Sequence, residues 1–215
     1  MKLVIGNKNY SSWSMRPWIA MKQIGLAFEE VVIPMNQPET RARMLEHSPT
    51  GLVPTLIDGD VTIFETIAIL EYLNDKHPDA GLWPHDIGVR AHARAISAEM
   101  HAGFAALRRD CPMNIRRPVR RHEPSPEALA QARRVDALWT DARQRYGAGG
   151  PFLFGAFTAA DAMYAPVVNR FHTYDVPRSP TAQAYMDAMM ALPAWKEWEA
   201  ASRAEPWVID KSEVP

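Results

Sequence analysis

Ser48-Pro49-Thr50-Gly51-Leu52-Val53-Pro54-Thr55-Leu56-Ile57-Asp58-Gly59-Asp60-Val61-Thr62-Ile63-Phe64-Glu65-Thr66 is the stretch on which the fold turns. Two apolar, β-branched runs, Thr55-Leu56-Ile57 and Val61-Thr62-Ile63-Phe64, flank Asp58-Gly59-Asp60. That composition reads as a hairpin, so two antiparallel strands are expected here. Glu65 to Lys76 follows as a helix with Ile69, Leu70 and Leu73 on one side, ended by His77-Pro78.

Toward the amino terminus, Lys2 to Gly6 is apolar enough for a short strand, and the polar Asn7 to Ser12 breaks it. Ser14 is read as the cap of a helix with Pro17 in its first turn, where a missing amide costs nothing. Trp18, Met21 and Ile24 give that helix an inward stripe before Gly25 stops it. Phe28 to Ile33 is a second strand whose Val31-Val32-Ile33 run suits a sheet covered on both faces. A strand, helix and strand in this order imply the right-handed parallel crossover. Residues 35 to 49 are polar and weakly helical. Beyond the Pro-containing stretch Lys76 to Asp86 the long segments turn Ala-rich with helical spacing. Helices are expected near 87–110, 126–146, 158–172, 180–190 and 193–203.

The element order β-α-β, then β-β-α, then helices places the chain in the class α/β plus all-α. The expectation is a thioredoxin-like domain over residues 1–79 and an all-helical domain over residues 87–215. With 215 residues, 47% of them apolar, the chain can bury a real core. A formal net charge of −1 supplies no overall field that would draw it onto nucleic acid or an anionic membrane. No segment approaches the ~18 consecutive apolar residues of a membrane span, and Met1 to Gly6 is too short for a signal-peptide core, so a cytoplasmic protein is expected. Cys111 is the single cysteine, which excludes an internal disulfide, a CxxC redox pair and a cysteine-based zinc site. No metal is expected.

Ser48 to Leu56 is similar to the segment that glutathione transferases place before their third strand. In that family the bond corresponding to Val53-Pro54 is cis, and the main chain at Val53 would face a cleft, where an extended peptide can pair with it. Phe64-Glu65-Thr66-Ile67 resembles the family's acidic-then-hydroxyl helix start. There the free amides of a helix N-terminus meet the γ-glutamyl carboxylate, Thr66 adds a hydroxyl, and Glu65 accepts from the ammonium group. Read alone, Glu65-Thr66 is an ordinary helix cap, and the Val53-Pro54 turn beside it shifts the reading to a ligand clamp. Many relatives carry lysine or arginine before Val-Pro. Leu52 stands there in this chain, and Gln37 or Arg16 is read as the compensating anchor for the glycyl carboxylate.

Asn9 to Trp18 occupies the place where thioredoxin-like proteins carry their reactive residue, and it holds serines without cysteine. No Gly-x-Ser-x-Gly elbow is present, so triad hydrolysis is not indicated. Ser11-Ser12-Trp13-Ser14-Met15-Arg16 resembles the Ser-Ser-Cys-Ser-x-Arg loop of zeta-class transferases, the maleylacetoacetate isomerases, with Trp13 in place of cysteine. The resemblance gives Ser11 the catalytic place, with Ser12 the alternative. The hydroxyl would favour the thiolate of glutathione, and two units of thiol pKa need only ~2.7 kcal/mol. His101, Phe104 and Arg108 are read as sharing one face of the first long helix and, with Arg170, as walls for the second substrate. Core packing and a helix-end salt bridge are the competing readings. Thr158 with Asp161 reads as a capping box. The arginines from Arg108 to Arg121 read as a solvated loop.

The function implied is glutathione transfer: thiolate attack on a small electrophile by conjugation, isomerisation or peroxide reduction. Glutathione is the co-substrate, and the family implies a homodimer. The alternative is a non-catalytic binding protein of the same fold.

Overall fold

Val4 pairs with Val31 on one side and with Thr55 on the other. This puts β1 (Lys2–Ile5) between the parallel β2 (Glu29–Val32) and the antiparallel β3 (Thr55–Asp58). β4 (Val61–Phe64) closes the sheet in the order β2-β1-β3-β4, with Asp58 opposite Val61 across the expected hairpin turn. The computed structural model describes residues 1–214. α1 (Ser12–Gln23) makes the β1-to-β2 crossover, α2 (Thr40–Leu45) is short, and α3 (Thr66–Lys76) follows β4. The rest is helical: α4 (Ile87–Ala102), α5 (Ala105–Asp110), α6 (Pro126–Tyr146), α7 (Ala159–Thr173), α8 (Pro180–Ala191) and α9 (Pro193–Ala204).

Four local expectations are corrected. β2 is an edge strand and only half-buried, because it lies at the end of the sheet with one neighbour. α1 starts at Ser12 with Ser11 as its cap, three residues before the expected start. Ser14 is instead fully buried inside the helix, and its Oγ accepts the Gly6 amide at 3.0 Å. Pro17 therefore lies inside α1, where it cannot donate to the carbonyl of Trp13 one turn back. That carbonyl accepts the Thr66 hydroxyl at 3.3 Å, so the proline frees the group that ties α3 to α1.

The third correction concerns the long helix near 87–110, which breaks at Gly103-Phe104. A Cβ on Gly103 would lie 2.8 Å from the Glu99 carbonyl, and Phe104 adopts the left-handed conformation at φ 61°. Arg108 then folds back to donate to the carbonyls of Met100 and His101, taking the place of the lost helical amides. Finally, the arginine-rich segment is not all solvated. Arg117 is buried, with bonds to the carbonyls of Thr173 (2.9 Å) and Arg120 (3.1 Å), and Arg116 donates to main-chain carbonyls after α9.

α7 is buried along nearly its whole length, so it is the axis of the helical half. Trp139 of α6 lies 5.7, 5.2 and 5.0 Å, ring to ring, from Tyr164, Phe171 and Tyr185. The capping box forms: Asp161 accepts from the amide (2.7 Å) and hydroxyl (2.8 Å) of Thr158, and also from the Leu153 amide at 3.0 Å. α1 packs against α7 and α9, through Arg16 Nε on the Met163 carbonyl (2.9 Å) and the ring of Trp18 5.0 Å from that of Trp198. These contacts join the sheet-bearing and helical halves, and the cleft described next opens along their junction.

Candidate functional site

A cleft of about 390 Å³ is lined by Trp13, Thr50, Leu52, Val53, Pro54, Phe64, Glu65, Thr66 and His101. Three chain features place these groups together. Gly51 turns the chain at φ 63°, and the Val53-Pro54 bond is cis. Val53 thus lies two residues ahead of β3 and outside its ladder, with its main chain available to an extended ligand. Glu65 adopts φ 70°, a conformation that costs a non-glycine residue ~1–3 kcal/mol and concentrates at functional positions. It turns β4 directly into α3, so the first amides of α3, which have no acceptor within the helix, open at the cleft.

Leu52 is 59% exposed at the rim, and no cation takes its place in the wall. Thr66 is buried beneath, its hydroxyl engaged with the Trp13 carbonyl rather than free as expected. His101 reaches the cleft from α4. Its Nε2 is 3.7 Å from a Glu65 carboxylate oxygen, and its ring stands edge-on to Trp13 at 5.1 Å. The other proposed second-substrate residues do not join the wall among the described residues. Phe104 is in the core, because the helix break turns it inward.

Arg16, Arg108 and Arg170 gather instead in the protein behind Trp13. The guanidinium carbons of Arg16 and Arg108 lie 4.1 and 4.5 Å from the centre of the Trp13 ring. Arg16 is 1% exposed, so it is not a surface anchor for a glycyl carboxylate. Arg170 donates to the Cys111 carbonyl. The hydrogen bonds of all three run to main-chain carbonyls, and none is ion-paired among the described residues. Burial, and then the repulsion of Arg108 and Arg170, pulls Arg16 well below the usual arginine range, and burial with the repulsion of Arg108 pulls Arg170 to about 10. Burial alone lowers Arg108. Gln37 is also outside the wall: its amide donates to Thr40 Oγ1 at 2.9 Å at the start of α2.

Ser11 and Ser12 immediately precede Trp13, with 5% and 8% exposure, and neither is part of the cleft wall, which only Trp13 reaches from this loop. Ser11 Oγ lies 2.7 Å from Ser14 Oγ, which itself accepts the Gly6 amide. Either hydroxyl can be the donor of that contact. With Ser14 donating, the Ser11 O–H is left for a ligand. Ser12 Oγ has no hydrogen-bond partner among the described residues, so it too is free to donate. Sequence reasoning missed Trp13, Thr50 and Phe64 as cleft residues. All three lie within the quoted motifs, and the departure of Trp13 from the cysteine of the resembling loop was the available signal.

Residues 10–76 match the family described as Glutathione S-transferase, N-terminal domain, and residues 90–201 match Glutathione S-transferase, C-terminal domain. A probable maleylacetoacetate isomerase of Caenorhabditis elegans is 39% identical over 97 residues, 45% of this chain and 44% of that protein. A glutathione S-transferase of Triticum aestivum is 26% identical over 192 residues, 86% of this chain and 87% of that protein. The matched stretch spans less than half the length of the first curated relatives. A solved glutathione transferase homologue from Burkholderia, with bound glutathione, superposes with a TM-score of 0.70 at 24% identity. That match covers 95% of this chain and 98% of the other, a likeness of fold.

Proposed function

Because the chain belongs to the glutathione S-transferase family, we propose that it binds glutathione in this cleft and activates the thiol as a thiolate for attack on a small electrophile. One observation carries the reading: the unladdered main chain of Val53, the open start of α3 at Glu65-Thr66 and Trp13, two residues after Ser11 at the start of α1, meet at one cleft. Val53 would pair with the peptide and the α3 amides with the γ-glutamyl carboxylate, while Glu65 receives the ammonium group. Ser11 would donate to sulfur. The α1 N-terminus and the unpaired guanidinium groups behind Trp13 add positive potential, which favours thiolate over thiol. Conjugation, isomerisation and peroxide reduction share this first step. A homodimer belongs to the same reading, and a monomer mass in light scattering overturns it.

Saturating glutathione at 100 times its Kd is expected to stabilise the fold by about 2.7 kcal/mol, read as a rise in Tm. An unchanged Tm at millimolar glutathione overturns the proposal. Leu52→Arg adds a cation at an exposed rim position, where such a pair is worth up to about 1 kcal/mol. Calorimetric titration is expected to show glutathione affinity raised ~2–5-fold. A weaker Kd would place the glycyl carboxylate elsewhere.

A further inference from the structure

The serine loop is held from the far end of the chain. Between β1 and α1, residues 6–11 are buried, yet Lys8 and Asn9 have no ladder or helix to accept their amides. One carboxylate accepts both: Glu205 Oε1 takes the Lys8 amide at 2.7 Å and Oε2 the Asn9 amide at 3.0 Å. Glu205 is the residue that ends α9. The Lys8 carbonyl accepts from the indole of Trp198, also on α9, at 3.0 Å.

The segment after Glu205 continues the attachment. Arg116 donates to the carbonyls of Glu205 and Trp207 and to the Tyr10 hydroxyl (2.9 Å), and Tyr10 donates to the carboxylate of Glu213. Asn9 Oδ1 accepts the Arg116 amide at 2.9 Å, and its Nδ2 donates to Asn114 at 3.0 Å. Every residue from Lys8 to Tyr10 is thus bonded to α9, to the strap 205–213 or to the loop that carries Arg116. Ser11 is the next residue, and the first free amides of α1 follow it.

We infer that Glu205, with the strap 205–213, is the positioning element of the thiolate site: it holds Lys8-Asn9-Tyr10 so that the Ser11 hydroxyl and the α1 amides stay aimed at sulfur. This rests on the function proposed above. Glu205 touches neither ligand nor cleft and acts only through the loop. Its side chain can do this because a carboxylate offers two acceptor oxygens with a fixed spacing, matched to two successive amides. Glutamine keeps the shape but turns a donor toward one of them, leaving a buried amide unpaired. Catalytic groups displaced by about 1 Å lose on the order of 10²-fold in rate.

The test uses the full chain with glutathione, following the ultraviolet absorbance of bound thiolate against pH together with steady-state rates on a chlorodinitrobenzene electrophile. Glu205→Gln is expected to lower kcat ~10–100-fold and to raise the apparent thiol pKa of bound glutathione by about one unit. KM for glutathione should stay within about 3-fold, because Val53, Glu65 and Thr66 are untouched. Tyr10→Phe, which keeps Glu205 but removes the bonds of Tyr10 to Glu213 and Arg116, should shift the thiol pKa in the same direction by less. It decides the matter on the same readout if Glu205→Gln does not fold. Glu199→Gln, at a half-buried position of α9 whose carboxylate pairs with Arg203 and does not touch the loop, is the control and should match wild type. If both strap variants lower Tm while thiol pKa and kcat stay at wild-type values, the positioning role is overturned and Glu205 is structural only. If wild type itself shows no bound thiolate, the proposed function fails, and the positioning role fails with it.

Discussion

Ser11→Ala is expected to lower turnover ~10–100-fold and to raise the thiol pKa of bound glutathione by about 1–2 units, with little change in glutathione affinity. The expectation comes from a hydrogen-bond chain rather than from a single side chain. The Gly6 amide donates to Ser14 Oγ at 3.0 Å, and Ser14 Oγ stands 2.7 Å from Ser11 Oγ. Either hydroxyl can donate in that buried contact; with Ser14 donating, the Ser11 proton is polarised toward sulfur, the arrangement the proposed function requires. A hydrogen bond to a charged acceptor is worth about 1.5–3 kcal/mol, which sets the size of the loss. Ser14→Ala should reproduce part of the effect by breaking the chain and stranding the Gly6 amide. Ser12 carries the competing free hydroxyl. A series in which Ser12→Ala abolishes turnover and Ser11→Ala leaves it intact would assign the donor to Ser12. Thiolate absorbance and kcat, measured on all three variants, separate these outcomes.

The largest effect on stability is expected at Asp161. Its carboxylate accepts from the amides of Leu153 and Thr158 and from the Thr158 hydroxyl, all within the core. Asp161→Ala strands these donors at once. Each buried orphan costs about 1–3 kcal/mol, so a loss of about 3–5 kcal/mol is expected. At about 2–4 °C per kcal/mol for a chain of this size, calorimetry should show Tm lowered by roughly 10 °C. A fall of only a degree or two would mean that water or a neighbouring side chain replaces the carboxylate. Burial pushes the Asp161 carboxyl up from 3.8 to about 6, against the pull of the donors around it. The native state therefore binds this proton more tightly than the unfolded chain does. The stability contribution of this titration is full below pH 3.8 and is lost as pH rises through about 6, by on the order of 3 kcal/mol. Asp161→Asn has no such proton, so the fall across that window should be absent from its stability profile.

Several features were legible because their signals are local. The hairpin at Asp58-Gly59-Asp60 needs only a turn between two β-branched runs, and the strands pair as expected, with Asp58 opposite Val61. The capping box at Thr158 and Asp161 spans one helical turn, and the cleft residues Val53, Pro54, Glu65 and Thr66 lie within short motifs of fixed spacing. Where the local signal was ambiguous, the structure departed from it. Ser11, Ser12 and Ser14 could each cap α1 by composition. The burial of Ser14 against the Gly6 amide selected the earlier start. The spacing of His101, Phe104 and Arg108 implied one helical face, but the extended backbone of Gly103 and the left-handed turn at Phe104 divide that helix in two.

Sequence alone determined the order of elements, the sheet hairpin, the two cleft-lining motifs and the hydroxyl loop, since each follows from residues within about a turn or a strand of one another. Only the tertiary structure decided which charges reach the cleft. Arg16 and Arg170 have the composition of surface or substrate-facing cations, yet packing of α1 on α7 buries both behind Trp13. Likewise Glu205 and Asn9 stand 196 positions apart in the chain, and no periodicity or spacing joins them. Their contact exists because α9 returns to cover the loop before α1, and one carboxylate there satisfies two amides that the loop cannot pair for itself.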